Sequence, residues 1–189
     1  MSHYLEWSRA YSHRLHTADA APLEARASEM GLRLERELAQ GLLPFLSMPY
    51  RASLESGLPP VLERVRPCRH MLVLGIGGSA LGARAVQKAF APGQDRPGHT
   101  GPSLWIADNV CAGEFEALLA ALNPAETAVV CISKSGGTIE TLAQYFLVRQ
   151  WLQDSLGEGW REHMVVITDA VSGYLRQEAS RHGLASLEV

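Results

Sequence analysis

The feature that most constrains the fold is the stretch at residues 129–142, where an apolar run gives way to hydroxyl and glycine residues and then to a helical pattern. This order predicts a buried strand, a turn and a helix. The amino end of a helix presents unpaired backbone N–H groups and the positive end of the helix dipole. Because both would stabilise an anion, the stretch predicts an anion-binding turn, and phosphate is its expected ligand.

The side chains of this turn also suit an anion. Ser133, Ser135 and Thr138 can each donate a hydroxyl proton. Gly136 and Gly137 allow turn conformations that other residues avoid, and they leave no Cβ between the backbone N–H groups and a ligand. The alternative is that these hydroxyl groups only cap the helix, as they usually do in an isolated serine-rich turn.

A second turn of the same kind favours the anion-binding interpretation. Residues 71–82 repeat the order of apolar strand, glycines, serine and helix, with Ser79 following the glycines. In a doubly wound sheet, ligands bind beyond the carboxyl ends of the strands, near the point where the strand order reverses. The two turns are therefore expected to face one cleft.

Strand and helix patterns alternate along the chain, which predicts an α/β fold with a doubly wound parallel sheet of about five strands. The expected strands are at residues 71–74, 103–107, 127–132, 164–167 and 185–189. The expected helices are at residues 23–42, 61–65, 83–90, 115–122, 138–156 and 172–182. Leu142, Phe146 and Trp151 are expected on the buried side of the long helix at residues 138–156.

The domain organisation follows from the first helix and the prolines after it. The helix at residues 23–42 and an irregular, proline-rich connection predict an N-terminal helical arm over residues 1–60. The alternating pattern then predicts one sheet domain over residues 61–189, which is long enough to bury a substantial core.

Composition excludes several classes of partner and of site. The net charge of −3 provides no basic surface for nucleic acid or for an acidic membrane. No apolar run is long enough for a membrane span and no signal peptide is evident, so we expect a cytoplasmic protein. The three cysteines lack C-x-x-C spacing, which indicates neither a disulfide framework nor a zinc site. Cys131 lies in an apolar strand, where it is expected to be buried and inert.

Other nucleotide and hydrolase chemistries fit less well. Residues 75–80 match the loose dinucleotide pattern G-x-G-x-x-A, but Asp108 lies later than the acidic residue that would bind the ribose. Neither turn has the G-K-[ST] ending of a P-loop, and no serine hydrolase motif is present. Glu140 is expected only to interact with the helix dipole. These residues explain binding, whereas turnover would need a positioned acid and base.

These motifs resemble the amino-terminal part of the glucose-6-phosphate isomerase family, whose members have the sugar isomerase (SIS) fold. The resemblance covers essentially the whole chain. It depends on the helical arm and on three motifs: Gly75-Ile76-Gly77-Gly78-Ser79-Ala80-Leu81-Gly82, residues 132–141, and Thr168-Asp169 with Ser172-Gly173-Tyr174-Leu175-Arg176.

The resemblance implies specific contacts to a sugar phosphate. In the first turn it implies Gly78 and Ser79. In the second turn it implies side-chain donation from Ser133, Ser135 and Thr138, and mainly backbone contacts from Lys134, Gly136 and Gly137. Gly137 stands where the family usually has threonine, so one hydroxyl group is missing.

The resemblance also implies an activity for a longer protein. Family members interconvert glucose 6-phosphate and fructose 6-phosphate in glycolysis and gluconeogenesis, through ring opening and an enediol, without metal or cofactor, and typically as homodimers. Their catalytic arginine, glutamate, histidine and lysine correspond to positions beyond Val189. We therefore expect no catalytic residue in this chain and no activity from it alone. The alternative is a self-standing, non-catalytic module of this fold that senses sugar phosphates.

Overall fold

The computed structural model describes residues 20–47, 57–96 and 99–189. The chain divides into two compact units, Met1–Ala52 and Ser53–Val189. The predicted arm of residues 1–60 and the predicted binding domain of residues 61–189 stay predictions. Much of the predicted proline-rich connection lies outside the described residues.

The first unit contains helices α1 (Ala20–Ala39) and α2 (Pro44–Ser47). Helix α1 begins and ends three residues before the predicted helix at residues 23–42. It ends early because Gly41 adopts a left-handed conformation, with φ of 70°. The N–H groups of Gly41 and Leu42 then donate to the carbonyls of Leu38 and Glu37, which closes the helix with a Schellman motif.

The second unit is an α/β domain whose strands all lie within one residue of the predicted bounds. Its elements are α3 (Leu58–Val65), β1 (His70–Leu74), α4 (Gly78–Phe90), β2 (Ser103–Ala107), α5 (Ala112–Ala121), β3 (Thr127–Ser133), α6 (Ile139–Leu156), β4 (Met164–Thr168), α7 (Tyr174–His182) and β5 (Ala185–Glu188). Short 3₁₀ helices lie at Pro124–Glu126 and Gly157–His163. The five strands form one parallel sheet in the order β2-β1-β3-β4-β5. The prediction of a doubly wound parallel sheet is confirmed.

The sheet order positions the two glycine turns side by side. Strand order reverses between β1 and β3, which is the point where doubly wound sheets of this order bind ligands. In the register of this pair Leu74 lies opposite Cys131, so the two strands end next to each other. The turns at residues 75–78 and 133–138 therefore leave the same edge of the sheet.

Apolar side chains alternate between the two faces of the sheet. Leu72, Leu74 and Val129 pack on one face in a cluster that also contains Tyr145, Val148 and Leu152 of α6. Val73, Val130 and Val165 pack on the other face with Val65 of α3. Strand β3 is buried along almost its whole length, as expected for a strand covered on both faces.

The predicted buried side of α6 is partly wrong. The buried residues Thr141, Tyr145, Val148 and Leu152 follow the three-and-four spacing of a helix face, whereas Phe146 is exposed. Leu142 and Trp151 are only half-buried at its margin.

The start and the orientation of α4 also differ from expectation. The helix begins at Gly78 rather than near Ala83, so Ser79 lies in its first turn. Its apolar residues Val86 and Phe90 are exposed. Arg84 and Gln87 face the sheet instead, because they donate to the carbonyls of Ile106 and Leu104 on the edge strand β2, at 2.9 and 2.7 Å. An edge strand leaves such carbonyls without a strand partner.

Helix α3 occupies part of the segment that was predicted to be irregular. Pro59 and Pro60 lie in its first turn, where the missing proline N–H costs no intrahelical hydrogen bond. None of the helices in residues 20–47, 57–96 and 99–189 is both long and apolar enough to cross a bilayer.

Candidate functional site

The turn at residues 133–138 leaves the amino end of α6 without its usual cap. Thr138 occupies the N-cap position with an extended backbone, yet among the described residues its side chain makes no capping hydrogen bond. Its hydroxyl oxygen lies 3.1 Å from the Ser133 hydroxyl oxygen instead. The interpretation that these hydroxyl groups only cap the helix is therefore wrong for Thr138. The first N–H groups of α6 remain available to an anion, since they have no intrahelical acceptor.

Backbone conformation explains the glycine at position 136. Gly136 has φ of 64°, a left-handed value that favours glycine, and its N–H donates to the Ser133 carbonyl at 3.1 Å. The Ser135 hydroxyl accepts a weak hydrogen bond from the Gly137 N–H at 3.3 Å. Lys134, Ser135 and Gly137 are exposed, whereas Ser133 is almost completely buried. The Ser133 hydroxyl therefore lies behind the surface of the turn, in contact with Thr138.

The turn at residues 75–78 approaches the end of β3 very closely. A Cβ atom on Gly75 would lie 3.0 Å from the Ser79 Cβ and 3.3 Å from the Ile132 carbonyl oxygen. Gly77 has φ of 57° and directly precedes α4. Gly78 is exposed and Ser79 is half-buried in the first turn of that helix. Gly75 was not among the residues predicted to form the site, although the G-x-G spacing is a signal for such an approach.

The structure places the predicted site residues on these two neighbouring segments. They are Gly78 and Ser79 after β1, and Ser133, Lys134, Ser135, Gly136, Gly137 and Thr138 after β3. The amino ends of α4 and α6 accompany them, so two helix dipoles contribute positive potential. None of these eight residues carries a carboxylate or an imidazole group.

One positioning residue near this edge was not predicted from the sequence. Gln144 is buried on α6, and its carboxamide N–H₂ donates to the carbonyls of Ala107 and Asn109, at 3.1 and 2.9 Å. It thereby fixes the segment that follows β2 against α6. No sequence signal identifies this role, because both acceptors are backbone atoms that only the tertiary fold brings close.

Asp108, which was considered as a ribose ligand, is engaged in an ion pair. Its carboxylate forms an ion pair with Arg84 at 2.9 Å, and both side chains are about one-third exposed. The same guanidinium donates to the Ile106 carbonyl. This pair holds α4 against the end of β2, which counts against the dinucleotide alternative.

Two other features, a buried cysteine and an apolar cavity, are not among the predicted site residues. Cys131 is fully buried, as predicted, and burial raises the pKa of its thiol. A cavity of about 370 Å³ lies between α5 and α6, lined mainly by apolar residues that include Phe115, Leu119 and Leu147. No cluster of histidine, cysteine, aspartate or glutamate suited to a metal ion occurs in the part of the chain that the structure describes.

Comparison with known proteins connects this geometry to one family. The phosphoglucose isomerase family model matches residues 63–177, a range that contains both turns. Glucose-6-phosphate isomerase of Thermus thermophilus is 41% identical over 118 residues, covering 62% of this chain and 27% of the relative. Glucose-6-phosphate isomerase of Carboxydothermus hydrogenoformans is 30% identical, covering 93% of this chain and 39% of the relative.

A solved structure gives the same result for the fold. A hypothetical protein from Thermus thermophilus is 31% identical, with a TM-score of 0.68, covering 90% of this chain and 40% of that one. The chain thus spans between about a quarter and two-fifths of the length of the relatives it matches. The family match over residues 63–177, which include both glycine turns, shows that this chain belongs to the phosphoglucose isomerase family.

Proposed function

We propose that the turns at residues 75–78 and 133–138, with the first residues of α4, bind the phosphate group of a sugar phosphate. The uncapped amino end of α6 is the observation that carries this proposal. Thr138 turns its hydroxyl toward Ser133, 3.1 Å away, rather than toward the helix N–H groups. An anion can then accept from those N–H groups and from the hydroxyl groups at the same time.

The residues have different roles in the proposed site. Ser135 and Thr138 donate hydroxyl protons to the phosphate oxygens, and Ser79 does so from the first turn of α4. Gly78, Lys134 and Gly137 contribute mainly backbone N–H groups. The Gly136 N–H donates to the Ser133 carbonyl, so Gly136 shapes the turn instead. Ser133 is too buried to lie on the surface of the site, so it orients the Thr138 hydroxyl.

For the whole protein we propose the interconversion of glucose 6-phosphate and fructose 6-phosphate, in glycolysis and gluconeogenesis. Family membership and the names of the relatives support this assignment. The reaction opens the hexose ring and moves a proton between C1 and C2 through an enediol. The described turns hold the phosphate end of the substrate, and the acid and base come from other residues.

The cellular setting is proposed on the same basis. The family resemblance supports a cytoplasmic homodimer that acts on a small-molecule sugar phosphate without a cofactor. The net charge of −3 supports the absence of nucleic acid or acidic membrane surfaces among its partners.

Calorimetry with glucose 6-phosphate and 6-phosphogluconate tests the phosphate site. Hydrogen bonds to a charged group contribute about 1.5–3 kcal/mol each. Ser135→Ala and Thr138→Ala should therefore each weaken binding by about tenfold or more. Both ligands should respond alike, because the phosphate group is what they share.

Ser155→Ala provides the matched control. Ser155 is exposed near the carboxyl end of α6, so its substitution removes a hydroxyl from the same helix without changing the turn. Its affinity should equal that of the wild type. Equal affinities in wild type, Ser135→Ala and Thr138→Ala would overturn the proposed site.

A further inference from the structure

The segment at residues 168–175, which joins β4 to α7, packs against the turn at residues 133–138 through its backbone. We call it the backing segment. The Thr168 hydroxyl donates to the Ser133 carbonyl at 2.6 Å. The Asp169 N–H donates to the Lys134 carbonyl at 3.1 Å, and the Leu175 N–H donates to the Gly136 carbonyl at 2.9 Å. Three carbonyl groups of the turn thus have donors in one segment.

The Ser135 carbonyl, which also belongs to the turn, lies against a glycine of the same segment. A Cβ atom on Gly173 would lie 2.3 Å from the Ser135 carbonyl oxygen and 3.1 Å from the Gly136 Cα atom. Gly173 also has φ of 95°, which side chains rarely permit. Glycine is therefore required at position 173 by two independent constraints, namely backbone conformation and contact with the turn.

These contacts determine which way the peptide groups of the turn face. In a planar trans peptide the C=O and N–H bonds point in opposite directions. Because the Lys134 and Gly136 carbonyls point toward the backing segment, the N–H groups of Ser135 and Gly137 point away from it. The carbonyl groups, with their negative dipole ends, therefore lie on the side of the turn that faces the backing segment. The N–H groups lie on the opposite side, where an anion can bind.

The backing segment is itself held by charged side chains. The Asp169 carboxylate accepts from the N–H groups of Val171 and Ser172, at 2.9 and 2.7 Å. The Arg176 guanidinium donates to the Asp169 carbonyl at 2.8 Å and to the Ser186 hydroxyl of β5 at 2.9 Å. The conformation of the segment is therefore fixed within its own part of the domain, independently of any ligand.

We propose that the backing segment is the positioning element of the phosphate site, and that Thr168 and Gly173 act through the turn without touching the ligand. The inference rests on the proposed phosphate-binding function. It gives a role to the motif formed by Thr168-Asp169 and Ser172-Gly173, which supplies none of the proposed ligand contacts.

Four variants of the full 189-residue chain test this inference. Gly173→Ala forces the turn away from its position, and Thr168→Val removes the hydroxyl donor while keeping the side-chain volume. Thr168→Ser restores that donor. Gly113→Ala is the control, since a Cβ atom at Gly113 would meet no atom of the described residues within 4 Å.

Three measurements are made on each variant: affinity for inorganic phosphate and glucose 6-phosphate by calorimetry, urea unfolding, and backbone amide NMR. Gly173→Ala and Thr168→Val should weaken binding by about tenfold or more. Both should shift the amide resonances of Ser135 and Gly137. Thr168→Ser should recover most of the affinity, and Gly113→Ala should bind like the wild type. The NMR readout distinguishes displacement of the turn from a general loss of stability.

The outcomes separate this inference from the function on which it rests. If the wild type binds and Gly173→Ala and Thr168→Val bind equally well, the positioning role is overturned and the phosphate site stands. Failure of Gly173→Ala to fold leaves the Thr168→Val and Thr168→Ser pair to decide in the same way. If the wild type binds neither ligand, the proposed function fails and the positioning role fails with it.

Discussion

At the scale of single residues, Gly137 departs from the threonine that the family resemblance gives for this position. Its neighbour Gly136 is constrained, because φ is 64° and an added Cβ would lie 3.0 Å from the Thr168 hydroxyl oxygen. Gly137 has no positive φ, and within the described ranges an added Cβ would meet only the Ser135 hydroxyl oxygen, at 4.0 Å. Backbone conformation therefore does not require glycine at position 137.

We predict that Gly137→Thr is tolerated and strengthens the site. The substitution restricts the unfolded chain, which stabilises the fold by about 0.5 kcal/mol, and it restores a hydroxyl donor in the turn. Urea unfolding and calorimetry with glucose 6-phosphate should show higher stability and tighter binding. Gly136→Thr is the matched comparison and should lower both the stability and the affinity for glucose 6-phosphate. Equal losses in the two variants would show that position 137 is constrained as well.

Asp169 makes the backing segment sensitive to acid. The N–H groups of Val171 and Ser172, followed by the Ser172 hydroxyl, lower the pKa of its carboxyl group. Since the pKa is lower in the folded state, the carboxylate stabilises the fold above its ordinary pKa of about 3.9. That contribution is lost as the pH falls through the lowered pKa of the folded state.

We predict that Asp169→Asn reduces the loss of stability in acid. Asparagine keeps an oxygen that can accept from the same N–H groups, but it does not titrate. Urea unfolding at neutral pH and at about pH 3, below the ordinary carboxyl pKa, should show a smaller pH-dependent change in the variant. Parallel pH profiles for the two proteins would contradict the role given to this carboxylate.

The residue types of the site could be predicted from sequence more readily than the residues that hold the site in position. Glycine at position 136 and the hydroxyl groups of the turn follow from backbone conformation and anion chemistry, which are local. The contacts of Gln144, Thr168 and Gly173 are with backbone atoms of distant segments. Such contacts leave no local pattern, because any residue type supplies the same carbonyl group.

At the scale of elements, a buried carboxylate connects α7 to α6 through hydrogen bonds and an ion pair. Glu178 of α7 is 1% exposed, and its carboxylate lies 2.6 Å from Arg149 of α6. The Tyr145 hydroxyl donates to it at 3.2 Å, and Arg181 approaches to 3.3 Å. Burial, and then the Glu178 charge, raise the pKa of Tyr145. The backing segment leads directly into α7, so this network also anchors the segment that packs against the turn at residues 133–138.

We predict that Glu178→Gln destabilises the domain by about 3 kcal/mol, because it leaves the partly buried Arg149 charge uncompensated. Glu158→Gln is the control, since Glu158 pairs with Arg161 on the surface and is 84% exposed. The control should cost less than about 1 kcal/mol. Urea unfolding measures both free energies. A similar cost for the two variants would contradict a special contribution from the buried network.

Element positions could be predicted from sequence where apolar runs determine them. The five strands fall within one residue of expectation. Among them β3 and β4 are buried along most of their length, and such strands read as near-continuous apolar runs. Which face of α4 and of α6 is buried could not be predicted in this way. Arg84 and Gln87 turn toward the sheet because the edge strand offers carbonyl acceptors, and only the assembled sheet defines which strand forms the edge.

At the scale of the whole molecule, binding and turnover can be separated. The candidate site combines hydroxyl groups, backbone N–H groups and one lysine, which suit a phosphate dianion. Moving a proton between C1 and C2 requires a positioned base and acid, which contribute about 10²–10⁴-fold to the rate. None of the eight residues predicted to form the site carries a carboxylate or an imidazole group. We therefore expect the proposed phosphate site alone to provide affinity without chemistry.

We predict that the 189-residue chain binds glucose 6-phosphate but forms no fructose 6-phosphate above the uncatalysed background. Calorimetry measures binding, and a coupled assay for fructose 6-phosphate measures turnover on the same preparation. An active glucose-6-phosphate isomerase added to the same mixture verifies that the assay detects product. Turnover that disappears in Thr138→Ala would contradict the prediction, because it would mean that residues of this chain already supply the acid and base beside the bound phosphate.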